Sequence, residues 1–300
     1  MTTGTKPTTP TTFSLGALLY PWNATQIKQL YQDAANCSLI SRVYLGEIVC
    51  AKRNPLLAKY LPKIIDEVQA AGKQIIFSTP ILHNDEESHQ LMLNNIELAR
   101  QYQCPIEIND LAGLKHATGL EIIIGPYINT YNQASLAVFA RNGAQRICPP
   151  FEVNRSVIAD LAAFGLPLEV NIFGRVALSI SSRCFIAHNL SIEREDCKLA
   201  CFKHSAGFNT VSEQQELFNL NGMQVQSAKI YNLIKEISDL QTIGVQNFRI
   251  NPTPEFSLNQ ISSLISAQLS SISDNLLTEQ QNKLFANGFY HNQEGYKFIE

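Results

Sequence analysis

Charge is scarce in this chain. Asp, Glu, Lys and Arg make up 16% of its 300 residues, against roughly 25% in an ordinary soluble domain. The formal net charge is −3, so the basic excess that drives nucleic-acid binding is missing. No apolar run approaches the roughly 18 residues of a membrane-spanning helix. No GxGxxG follows the first apolar stretch, which disfavours a doubly wound dinucleotide-binding sheet. Neither HExxH nor GxSxG occurs, so the usual grammars of a metalloprotease and a serine hydrolase are absent. Seven cysteines are too few, and odd in number, for a secreted disulfide scaffold. They fit a reducing compartment, and a cytoplasmic protein is the expectation.

Apolar residues, in contrast, reach 45%, enough to build a sizeable core. Residues 1–12 (MTTGTKPTTPTT) hold seven threonines and two prolines. They can bury almost nothing, and a disordered leader is expected there. The following FSLGALLYPW imitates a signal-peptide core but lacks a basic segment before it and a small-x-small site after it.

From Phe13 onward, short β-rich runs alternate with amphipathic helical stretches. FSLGALLY reads as a strand, and Asn23 opens a helix in which Ile27, Leu30 and Tyr31 recur at helical spacing. SRVYLGEIVC is a second strand, before a helix that stops at Gly72. KQIIFSTPIL, PIEIND, GLEIIIGPYI, QRICPPF and LEVNIFG follow as strands, with helices such as NQASLAVFARNG between some of them. Repeated βα units imply a parallel sheet, and this many favour a (β/α) barrel or barrel-like variant. Residues 13–300 are expected to form one such domain. The alternation breaks after about Ser182, where residues 183–212 are polar and irregular, and the chain ends in a polar C-terminal tail from about Asn275.

The irregular segment carries Cys184, Cys197 and Cys201. The spacing in CKLAC would put both thiols on one side of a helical turn. Cys50 ends the second predicted strand, and in a parallel barrel it opens toward the same face as Cys184. Four converging thiolates suit either tetrahedral zinc or an iron–sulfur cluster. Paired CxxC knuckles would favour zinc, whereas these ligands are scattered along the chain. Cys37, Cys104 and Cys148 read as small buried residues.

Several polar residues also sit at predicted strand ends, where a barrel gathers its chemistry. These are Glu47, Arg53, Asp110, Asn129, Tyr131 and Asn132, each of which also suits ordinary turns and caps. His188 and His204 flank the cysteine segment and are alternative ligands. Glu86 and Glu87 suit a solvated helix start.

LGEIVCAKR (Leu45 to Arg53), IEINDLAGL (Ile106 to Leu114), NTYN (Asn129 to Asn132), SSRCF (Ser181 to Phe185), DCKLACF (Asp196 to Phe202) and NGM (Asn221 to Met223) together resemble the collagenase-like U-type peptidase family. The resemblance lies with its branch in oxygen-independent ubiquinone biosynthesis and covers the chain after the leader. It implies that Cys50, Cys184, Cys197 and Cys201 bind a 4Fe–4S cluster. It further implies a heterodimer with a UbiU-like sister subunit that acts on a ubiquinone precursor, with a lipid-carrier protein as a route of delivery. The peptidase label of the wider family implies no protease here. RNA-base hydroxylation, known among its members, and a zinc-stabilised non-catalytic partner protein are the other readings.

Overall fold

The computed structural model describes residues 10–270 and 277–300. Six strands lie side by side in sequence order and pair in parallel: β1 (Thr12–Leu15), β2 (Ile40–Leu45), β3 (Gln74–Ser78), β4 (Ile106–Ile108), β5 (Ile122–Ile124) and β6 (Ala144–Ile147). Helices α1 (Ala24–Asn36), α2 (Asn54–Ala70) and α3 (Glu86–Gln101) make the first three crossovers, and α4 (Gln133–Arg141) joins β5 to β6. A 3-10 turn (Leu111–His116) takes the place of a helix between β4 and β5. After β6 come α5 (Arg155–Ala163), β7 (Glu169–Ile180) and α6 (Phe185–Asn189). An antiparallel set follows: β8 (Phe208–Ser212), β9 (Gln215–Asn221) and β10 (Gln224–Asn232). The chain then runs through α7 (Ile237–Thr242), β11 (Asn247–Ile250), α8 (Leu258–Leu269), α9 (Glu279–Asn282) and β12 (Phe285–Ala286).

β11 inserts between β7 and β1, parallel to both. The parallel strands therefore run β6-β5-β4-β3-β2-β1-β11-β7. The two outer members meet through a single parallel bridge, Ile147 to Leu168, where Ile147 N–H donates to Pro167 O at 3.0 Å. The result is the barrel-like α/β architecture that the sequence predicts, with one seam held by a bridge instead of a ladder.

Alternation along the strands explains its two cores. Positions such as Leu15, Val43, Phe77, Ile108, Ile124, Val170 and Phe248 are buried and apolar, as are the helix faces carrying Ile27, Leu30, Ile64, Ile65, Val68, Met92 and Ile96. Burying each such side chain contributes about 1.5–3 kcal/mol. The interleaved positions Ser14, Tyr44, Ser78, Glu107, Arg146, Glu169 and Arg249 are buried as well, and bond chiefly to one another. With a period of two, these residues share the opposite face of the strands, which is the inside of the barrel.

Capping agrees with the predicted helix starts. Asn23 caps α1 by accepting from Thr25 and Gln26 N–H, and Gln26 bonds back to the Asn23 N–H at 3.0 Å. Gly72, beyond the end of α2, takes φ +72°, a conformation that costs non-glycine residues about 1–2 kcal/mol.

Three expectations need adjustment. The leader assigned to residues 1–12 overlaps the fold at its end, because Thr12 begins β1 and the Thr11 hydroxyl bonds Gln246 and Gln241. Residues 1–9 lie outside the described residues. The irregular stretch 183–212 is not all irregular, since α6 and β8 fall within it. β8–β10 extend the sheet because β7 outruns the barrel: its first half pairs with β11, and its second half pairs antiparallel with β10. The C-terminal tail, although polar in composition, is built in: β12 pairs with β10, and Phe285, Asn287 and Tyr290 are buried. Asn287 secures it with bonds to Glu236 Oε1 and to the backbone of Ile299.

Candidate functional site

Cys50 lies five residues beyond β2, because that strand ends at Leu45, before the expected GEIVC extension. Its loop is closed by one carboxylate. Glu47 Oε1 accepts from Val49 N–H at 2.9 Å, from Cys50 N–H at 3.0 Å and from Arg53 Nη2 at 2.6 Å. Glu47 and Arg53 are both only 3% exposed, so this is a buried ion pair made tolerable by further hydrogen bonds. Cys50 then starts the 3-10 turn Ala51–Arg53 that leads into α2.

Cys184 stands four residues after β7, at the N-cap of α6. Two backbone bonds dock this loop on the β9–β10 turn: Ser181 N–H to Met223 O at 2.8 Å, and Phe185 N–H to Gly222 O at 2.7 Å. Gly222 takes φ +65° in that turn, which glycine does at little cost.

Cys197 and Cys201 do not share a helical turn, contrary to expectation. Lys198 and Leu199 between them have φ of +43° and +56°, and the following 3-10 turn begins only at Ala200. Two consecutive left-handed residues with side chains store strain of roughly 1–2 kcal/mol each. The segment is strapped to the barrel by Arg194, whose Nη2 donates to Asp85 Oδ2 at 2.9 Å, and by Lys52 Nζ, which donates to Arg194 O at 3.1 Å.

These three pieces of chain meet. Cys50, Cys184, Cys197 and Cys201 line one small cavity, together with Lys52, Arg53, Arg194 and Met223. All four thiols are reduced and half-buried. Burial pushes the Cys50 thiol up, against the pull of Arg53. Burial likewise lifts Cys201 to about 11, opposed by Arg53 and reinforced by Cys50 and Cys184. Among the described residues, no three Cys, His, Asp or Glu side chains stand close enough together to hold a metal ion. His188 and His204 are not part of the cavity wall, and the His204 ring packs against Phe208 instead.

The remaining strand-end candidates divide. Glu47 and Arg53 support the cavity. Asp110 accepts from Ala112 and His83 N–H, and Asn132 caps α4 by accepting from Ser135 N–H at 2.9 Å. Tyr131 donates to Glu152, and Asn129 is exposed. Cys37 and Cys148 are buried, and Cys104 is half-buried.

The barrel interior holds residues that the sequence reading passed over. Arg249 bonds Glu169 through Nε at 2.9 Å and Glu107 through Nη1 at 2.5 Å, and its guanidinium lies 3.9 Å from the centroid of the Tyr44 ring. Arg146, Ser14 and Tyr44 complete the shell around Glu169. Burial opposes charge on Glu169, but Arg249, Arg146 and the two hydroxyl donors prevail and hold its pKa at about 2. Above this layer, Asn171 donates to Cys148 Sγ at 3.2 Å and Asn251 donates to Asn171 at 2.8 Å. A signal did exist in the sequence: IEI, LEV and FRI each place one charge between apolar neighbours in a strand.

Fold and site together define a parallel α/β barrel with an appended cysteine-bearing segment and an antiparallel extension. The chain belongs to Peptidase family U32, which it matches over residues 22–297. Among solved structures it is similar to N-acetylneuraminate lyase from Fusobacterium nucleatum complexed with pyruvate, at 11% identity and TM-score 0.47, covering 91% of this chain and 79% of that one. A putative dihydrodipicolinate synthetase from Pseudomonas aeruginosa gives 8% identity and TM-score 0.46, with 92% and 80% covered. A Rubisco-like protein from Rhodopseudomonas palustris gives 9% identity and TM-score 0.44, with 89% of this chain and 66% of that one covered.

Proposed function

We propose that this U32 protein is the smaller, UbiV-like subunit of a heterodimer that hydroxylates ubiquinone precursors without dioxygen. In this reading Cys50, Cys184, Cys197 and Cys201 hold a 4Fe–4S cluster. The observation that carries it is the meeting of four thiols from three separate chain segments on one cavity wall. The donor set fits such a group, since soft thiolates suit an iron–sulfur cluster. So does the second layer: the buried Nε atoms of Arg53 and Arg194, both on this wall, have no protein acceptor.

When bound, the cluster supplies one-electron steps, at a potential set by burial, charge and hydrogen bonds to sulfur. The chain's own part is to gather the four ligands and offset their charge with Lys52, Arg53 and Arg194. Glu47 fixes the Cys50 loop through its backbone amides, and the β9–β10 turn fixes Cys184. Loading releases the thiol protons, because the ligands bind as thiolates. The precursor ring, the UbiU-like sister subunit with its own cluster, and a cytoplasmic site of action belong to this same reading. Among the described residues no helix is long and apolar enough to cross a membrane.

The test has two arms. Protein purified without oxygen should be brown and carry about four irons per chain, and replacing any of the four cysteines by alanine should remove the colour. Colourless protein with one zinc would favour the structural-metal alternative instead. A strain lacking this chain should lose anaerobic ubiquinone and regain it when the chain is returned with its sister. Rescue by Cys197→Ala would overturn the requirement for a cluster, and intact ubiquinone with altered RNA bases would point to the RNA-modifying relatives.

A further inference from the structure

Two arginines on the cavity wall have donors to spare. Arg53 is 3% exposed and gives Nη2 to Glu47. Arg194 gives Nη2 to Asp85 at 2.9 Å and Nη1 to Ser182 O at 3.5 Å. In both, the Nε–H is shut off from solvent and meets no acceptor in the protein. Leaving a buried donor unmade costs roughly 1–3 kcal/mol, and more on a charged group. Arg146 and Arg175 also carry an unpartnered Nε, but Arg53 and Arg194 are the two that line the same small cavity as four thiols, where a bound group could supply the acceptor.

Their supports explain why the orphans persist. Glu47 and Asp85 grip each guanidinium through Nη2, which leaves Nε uncommitted. The two arginines come from different parts of the fold, Arg53 from the turn before α2 and Arg194 from the appended segment. Lys52 ties those parts together through Arg194 O. A guanidinium is always charged and poorly hydrated, which suits it to a buried anionic neighbour.

We propose that Arg53 and Arg194 donate their Nε–H groups to the sulfur atoms of the bound cluster and thereby raise its reduction potential. This rests on the cluster reading above. Hydrogen bonds to sulfur and nearby positive charge favour the more negative, reduced form. The two residues are tuning groups; the four cysteines alone are the ligands.

The experiment uses the full chain, purified without oxygen, with iron counted before any potential is measured. The midpoint is read by mediated titration followed by electron paramagnetic resonance, for wild type, Arg194→Gln, Arg194→Lys and Arg53→Lys. Arg194→Gln should keep its iron, while at the wild-type midpoint its ratio of reduced to oxidised cluster should fall about tenfold, which is about 59 mV for one electron. Arg194→Lys should fall between the two, because it restores charge without the planar donor. Arg100→Gln, on α3 with its guanidinium on the His116 and Thr118 carbonyls, should leave the midpoint unchanged. If Arg53→Lys fails to fold, the Arg194 pair decides. Full iron with an unchanged midpoint in Arg194→Gln overturns the proposal. Wild-type protein that binds no cluster overturns the cluster reading, and this inference with it.

Discussion

Arg249 and Glu169 meet inside the barrel, Nε to Oε1 at 2.9 Å, with side chains 3% and 0% exposed. The same guanidinium holds Glu107, so one cation bridges carboxylates from two other strands, β4 and β7, and Arg146 adds a second charge beside Glu169. Breaking such a group by removing one member leaves uncompensated buried charge, at about 3–5 kcal/mol. Arg249→Met should therefore lower stability in urea by about that amount. A loss below about 1 kcal/mol, the scale of exposed pairs, would mean the network relaxes easily.

Acid should weaken the fold through Glu169. Its folded pKa, about 2, lies below its ordinary 4.5, so the group binds its proton more readily when unfolded. Its contribution is complete above pH about 4.5 and drains away as pH falls toward about 2, with a full size of about 3 kcal/mol. Glu169→Gln should be less stable than wild type at neutral pH, and that difference should shrink through this window. A constant difference in urea midpoints from pH 7 to 3 would count against it.

Cys148 separates the two kinds of cysteine. It is fully buried, and burial drives its thiol far above the ordinary range. Under the cluster reading proposed above, Cys148→Ala should keep the iron and the colour, whereas Cys184→Ala should lose both. Equal loss in the two would deny that the thiol cavity is the seat of binding.

Gly174 stands where β7 leaves the barrel for the antiparallel extension. Its φ is +132°, and an added Cβ would come within 2.7 Å of the Asn251 side chain and 2.9 Å of its carbonyl oxygen. Gly72 has a left-handed φ but open space around it. Gly72→Ala should cost about 1 kcal/mol, and Gly174→Ala clearly more, by thermal unfolding. Equal costs would remove the close approach as the reason for glycine at Gly174.

Asn287 anchors the end of the chain. Its amide gives one hydrogen to Glu236 and another to Ile299 O, while its oxygen accepts from Ile299 N–H. Asn287→Ala should expose the last residues to limited proteolysis and cost about 1–3 kcal/mol, because it strands buried partners. Unchanged protection would show that apolar contacts of Phe285 and Tyr290 hold the terminus alone.

Local pattern carried the barrel. Ile27, Leu30 and Tyr31 recur at helical spacing in α1, Asn23 and Gln26 close its capping box, and the short apolar strands alternate with such helices; all of this depends on near neighbours in the chain. Local pattern also offered the four cysteines as candidates by their chemistry and setting. It failed at Lys198 and Leu199, where the segment strapped to the barrel takes a left-handed bend between Cys197 and Cys201. It also failed to mark Glu107, Glu169 and Arg249 as partners, because they are far apart in sequence and only barrel closure turns one face of every strand inward. Whether Cys50 shares a wall with Cys184, and which arginine donors are left over beside them, depends on distances across the fold. Those distances are set by how strands stack and where β7 outruns its neighbours, which no window along the chain contains.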